Sequence, residues 1–128
     1  MKEKELYSTA RFKVHPGKID EFKRLSALCM ESARSKDTGT LEYDVFLSDD
    51  QSEGVVHERY RDSESLLQHI ANLGELMAAI MKVASFAGEI CGTPSPALLK
   101  GLEGSGVRVF KLHQSLKIMN LHVEPHST

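Results

Sequence analysis

The order of strand and helix patterns predicts an α+β fold: an antiparallel sheet of the split-βαβ, ferredoxin-like kind, with helices packed on one face. Three observations carry this. Residues 6–15, 40–48 and 55–61 alternate apolar and polar side chains with a period of two. Between the first two, residues 18–35 carry an apolar stripe at spacings of three and four. Turn-forming residues separate the segments, so the chain reads strand, helix, strand, strand, helix with a short helical continuation, strand, helix, strand.

Each element has a local reason. In Leu6 to His15, the residues Leu6, Ser8, Ala10, Phe12 and Val14 share one face, and Pro16-Gly17 ends the strand. In the helix from Lys18 to Ser35, Ile19, Phe22, Leu25, Cys29 and Ala33 form the stripe, widened by Leu28 and Met30. Residues Ser35 to Gly39 form a loop, and Thr40 to Ser48 is the second strand. A polar turn at 49–54 joins it to Val55–Arg61 as a hairpin. Asp62 is a strong N-cap for a helix running to about Asn72, expected to bury Leu66, Leu67, Ile70 and Leu73. Gly74 breaks it, and Glu75 to Lys82 forms a second helical piece around Leu76, Met77, Ile80 and Met81.

The segment from Val83 to Cys91 reads as strand or helix; Gly88 disfavours helix, and strand is the expectation. Ser95 as cap with Pro96 at the first helical position starts a short helix to Leu102. Val107 to about Leu116 is the last predicted strand, and residues 119–128 a frayed tail. The second sheet face carries Tyr43, Val45, Leu47 and Val55, or their alternating partners. No element remains to cover it, so a homodimer with sheets packed face to face is expected.

Composition excludes several functions. The 128 residues suit one domain. A formal charge of −2 with no basic block gives nucleic-acid binding no electrostatic support. No apolar run approaches a membrane span. The charged start Met1-Lys2-Glu3-Lys4-Glu5 lacks the apolar core of a signal peptide, which points to the cytoplasm. Cys29 and Cys91 lack metal or redox spacing and read as small core residues. His57 and Glu58 alternate to opposite faces of a strand, so no metal site is expected with His69. His113, His122 and His126 lack ligand spacing and read as surface residues. Gly101, Gly104 and Gly106 follow a helix, which suits a turn and not a dinucleotide-binding loop.

One constellation goes further. Gly39-Thr40-Leu41-Glu42-Tyr43 is followed by Glu58-Arg59-Tyr60-Arg61-Asp62 and then by Leu66-Leu67-Gln68-His69, with Pro16, Gly17, Lys18 and Phe22 upstream. In this order the residues resemble the antibiotic-biosynthesis-monooxygenase family of small dimeric α/β-barrel proteins. The resemblance covers residues 6–82, leaving 83–118 as a C-terminal strand-helix-strand extension within a single domain of residues 1–128. It implies a homodimer or higher oligomer and a small-molecule substrate. It also implies an oxygenase needing neither metal nor flavin, acting on an aromatic or quinol-like compound.

On that reading His69 is the catalytic base, Tyr60 holds a phenolate or peroxide oxygen, and Glu58 orients either. Tyr43, Phe22, Met77 and Ile80 form the substrate-binding wall. The chain lacks the second histidine of many relatives, since residues 73–76 read Leu-Gly-Glu-Leu. It has no tryptophan and no helical axial histidine, which argues against haem degradation; Tyr60 stands in the tryptophan's place. Each site residue also has a purely structural reading: His69 as a cap or backbone partner, Tyr60 as core, Glu58 in an ion pair. The functional alternatives are a non-catalytic dimeric small-molecule binder or stress-associated protein, and a proton-transfer isomerase acting on a small carbonyl compound.

Overall fold

The computed structural model describes residues 4–116. In chain order the elements are β1 (Leu6–Val14), α1 (Ile19–Lys36), β2 (Thr40–Leu47), β3 (Glu53–Tyr60), α2 (Ser63–Leu73), α3 (Leu76–Met81), β4 (Ala84–Cys91), α4 (Pro96–Gly101) and β5 (Arg108–Phe110). The sheet order is β2-β3-β1-β4-β5. Ala84 to Cys91 is strand, as expected, with Val83 left in the preceding turn, and Gly88 lies opposite Ala10 of β1. β2, β3, β1 and β4 pair antiparallel, as expected. β5 departs from the expectation, because it pairs with β4 in parallel over three residues only and so makes the sheet mixed. The chain reaches β5 from β4 through α4, and a helical crossover returns a strand in the same direction. The expected pairing out to Leu116 stops at Phe110, and the expected tail at 119–128 lies outside the described residues.

The helices cover one face of the sheet. Asp62 caps α2, its carboxylate accepting from the Ser65 amide at 2.9 Å and the Ser65 hydroxyl at 2.7 Å. Ser95 caps α4 through the Leu98 amide at 3.1 Å. Gly74 closes α2 with φ +56°, a left-handed conformation that suits glycine. Two core clusters lie between sheet and helices. One gathers Phe12, Phe22, Leu25, Cys29, Val56 and Ile80. The other gathers Leu6, Tyr60, Leu66, Ile90 and Leu98. Among the described residues no helix is long and apolar enough to cross a membrane.

The opposite sheet face is open, and the alternation on β2 is resolved against its first reading. A register irregularity between Thr40 and Glu42 precedes Tyr43, Val45 and Leu47, which pack against the helix-side core. The open face instead carries Phe46 beside His57, with ring centroids 5.4 Å apart, and Val55 opposite Phe46. Tyr7, Phe46 and Phe110 are exposed aromatics. Other expectations of burial also fail. Cys91 is exposed, whereas Cys29 is buried. Leu28, Ile70 and Met81 are exposed at the margins of their helical stripes.

The loop between α1 and β2 is pressed against α2. A Cβ on Gly39 would lie 1.9 Å from the Ser65 Oγ and 2.5 Å from its Cβ, so only glycine allows this approach. The Gly39 carbonyl accepts from the Arg61 amide at 2.9 Å. Gln68 of α2 accepts from the Thr38 amide at 2.9 Å. Asp37 in the loop and His69 on α2 are brought together by this seam.

Candidate active site

A cavity of about 260 Å³ lies between the sheet and the helices. Small residues on the strands, Ser8, Ala10 and Gly88, leave space beneath α2 that larger side chains would fill. Its walls are mainly apolar, and the polar groups that face it are few.

His69 projects from α2 into this cavity and is buried. Its Nδ1 lies 2.7 Å from the Asp37 Oδ2, and the Asp37 side chain is almost fully enclosed. An N–H on Nδ1 that donates to the carboxylate leaves the Nε2 lone pair as the atom offered to the cavity. Asp37 accepts two further hydrogen bonds, from the Thr40 hydroxyl at 2.7 Å and the Asn72 amide at 2.9 Å. Burial alone would raise this carboxyl, but the donors from Asn72, Thr40 and His69 outweigh it and hold Asp37 below the usual carboxylate range. Asp37 stays ionised and fixes the imidazole.

Glu58 faces the same cavity from β3 under opposite conditions. Burial pushes its carboxyl up, and the Tyr60 hydroxyl that donates to Oε1 compensates only in part. No lysine or arginine forms an ion pair with Glu58 among the described residues, so the expected structural ion pair is not what holds it. The ring of Tyr60 lies 5.5 Å from that of His69, centroid to centroid, and the ring of Tyr43 lies 5.2 Å from it. Burial raises both phenols well above their ordinary value. It also pushes the nearby Cys29 thiol up to about 11, which keeps it neutral.

The residues singled out from sequence converge with one exception. His69, Glu58, Tyr43, Phe22, Met77 and Ile80 all line the cavity. Tyr60 does not; it is fully buried behind Glu58, to which its hydroxyl is committed. His69 is neither a helix cap nor a backbone partner, since its Nδ1 bonds the Asp37 side chain. Asp37, Thr40 and Asn72 were not identified from sequence as part of the site. The only signal there was the loop of Ser35 to Gly39 ending in the Gly-Thr-Leu-x-Tyr run.

Comparison with known proteins identifies the fold and the family. The model of the family described as antibiotic biosynthesis monooxygenase matches residues 6–74. No curated protein sequence matches. Among solved structures, MupZ from Pseudomonas fluorescens is similar with a TM-score of 0.73 and 24% identity, covering 88% of this chain and 93% of MupZ. Rv0793 from Mycobacterium tuberculosis follows with 0.63 and 24%, covering 73% of this chain and 98% of that one. SnoaB from Streptomyces nogalater, a cofactor-independent oxygenase, has a TM-score of 0.62 at 16% identity, covering 72% of this chain and 95% of SnoaB. At these identities the structures establish the shared fold, and the family match spans more than half of the sequence. The chain belongs to the antibiotic biosynthesis monooxygenase family.

Proposed function

We propose that this protein is a cytoplasmic, homodimeric, cofactor-independent monooxygenase acting on a small aromatic or quinol-like substrate. The observation that carries the reading is the placement of His69, with Nδ1 held by the ionised Asp37 and the ring lining an apolar cavity. Triplet oxygen reacts sluggishly with closed-shell molecules, so the protein's task is to generate an electron-rich substrate anion in a dry site. His69 takes the proton from an activated C–H or phenol O–H. The anion passes one electron to oxygen, and the radical pair combines into a peroxide at carbon. At a methylene carbon such as that of anthrone, the peroxide loses the second C–H proton and its O–O bond breaks. A carbonyl forms and the distal oxygen leaves as water, so one O₂ yields one inserted oxygen and one H₂O. Glu58, whose carboxyl is raised by burial and which faces the same cavity, supplies the proton that the departing hydroxide needs.

The open sheet face, with Tyr7, Phe46 and Phe110 exposed, supports the homodimer. The test of function is oxygen uptake by the purified protein with anthrone or hydroquinone, with no metal or flavin added. Wild type is expected to consume one O₂ per product and His69→Ala to lose that activity. Full activity in His69→Ala would refute the assignment.

A second reading has its own support. A base and a carboxyl group raised by burial, facing one cavity, are also sufficient for enolisation of a small carbonyl compound. Proton exchange into substrate from D₂O without oxygen uptake would select that isomerase chemistry.

A further inference from the structure

Four residues of the cavity wall, Gly101, Leu102, Ser105 and Val107, come from the end of α4 and the turn into β5. They lie outside residues 6–74, the part matched to the family. The segment is anchored as a wall. Leu98 is fully buried in the second core cluster, and the Ser95 amide donates to the Ser63 hydroxyl of α2 at 2.9 Å. At the turn, the Ser105 hydroxyl donates to the Leu102 carbonyl at 2.6 Å and accepts from the Val107 amide at 3.2 Å. Beneath it, a Cβ on Gly88 would fall 2.7 Å from the Phe86 ring and 3.3 Å from the Val107 side chain. Gly88 therefore keeps the cavity floor clear where β4 meets this wall.

Building on the reading of the cavity as a substrate site, we propose that the α4–β5 turn is its specificity wall. Leu102 and Val107 set how far a substrate extends from His69 and Glu58 over the clear floor at Gly88. The substrate that meets this wall is a fused-ring member of the aromatic class already proposed. Its reacting edge lies at His69, and its remaining rings lie under Leu102 and Val107, between the two core clusters. A single-ring phenol reaches the base without touching this wall.

The test compares anthrone with hydroquinone by calorimetric titration under argon, where no turnover occurs. Val107→Phe is expected to weaken anthrone binding about tenfold or more, the scale on which methylene-sized changes in a pocket act, and to leave hydroquinone within about twofold. Val107→Ala, which removes bulk and adds no strain, is expected to shift preference further toward anthrone. Equal effects on both ligands, or none, would overturn the wall. Size discrimination without oxygen uptake in wild type would refute the oxygenase and keep the wall. Oxygen uptake without size discrimination would do the reverse. Failure of wild type to bind either compound would overturn both.

Discussion

Two carboxylates approach the cavity, and the protein treats them in opposite ways. Asp37, in the loop before β2, receives hydrogen bonds from Thr40, Asn72 and His69 and is held below the ordinary range. Glu58, on β3, has the Tyr60 hydroxyl and an apolar surrounding, and its value rises. Burial acts on both in the same direction; the number of donors decides the sign. Under the proposed mechanism, the lowered carboxylate behind the imidazole and the raised one facing the cavity would divide the labour of base and acid.

Removing the base is the most severe way to break this division. His69→Ala is expected to lower kcat/KM by about 10²–10⁴, the usual contribution of general acid–base catalysis, measured by oxygen uptake. Next comes Asp37. Asp37→Ala leaves Thr40, Asn72 and His69 with unmet donors, and is expected to cost about 3 kcal/mol of unfolding free energy in denaturant titration. Asp37→Asn keeps the shape and loses the charge. As a positioning residue, its replacement should lower kcat while KM holds, whereas a merely structural role would move both.

The pH dependence of stability sharpens the comparison, because the two signs differ. The folded value of Asp37 lies below its unfolded one, so its contribution is complete above pH 3.8 and is lost as pH falls through the folded value. The folded value of Glu58 lies above its unfolded one, so its contribution is complete below pH 4.5 and is lost as pH rises through the folded value. Glu58→Gln should therefore gain on wild type in thermal melts as pH rises from 4.5, by about 1 kcal/mol for each unit separating the two values. A constant difference across pH would show that folding does not shift the Glu58 carboxyl.

The smallest effect on the cavity is expected from the other side of the sheet. Light scattering should give twice 14.2 kDa for wild type, and Phe46→Glu should yield 14.2 kDa with the affinity of the cavity retained. A monomeric wild type would refute the dimer.

Much of this architecture was legible in the residues. Period-two alternation marked the first three strands, and the caps at Asp62 and Ser95 marked two helix starts. Glu58 and His69 were found because they sit in an ordered motif. Asp37 was not, because its contact with His69 joins a loop to a helix 32 positions away, and neither periodicity nor capping signals reach across that distance. Ile70 failed for a related reason. Its side chain lies at the margin of the stripe and lines the cavity, so it remains exposed. The last strand was overestimated because its apolar residues continue to Leu116, while β4 offers a parallel partner only to Phe110.

The close approach at Gly39 has a bearing on dynamics. His69 and the Asp37 carboxylate that bonds it belong to separate segments, joined where Gly39 lies against Ser65 and Thr38 against Gln68. Opening of that seam would release the imidazole from Asp37 while both core clusters stay intact. Such a local fluctuation would undo the His69–Asp37 pairing at a free-energy cost below that of global unfolding. Melting temperature and catalytic lifetime would then respond to different substitutions, and the position to watch for the second is a glycine that never touches the cavity.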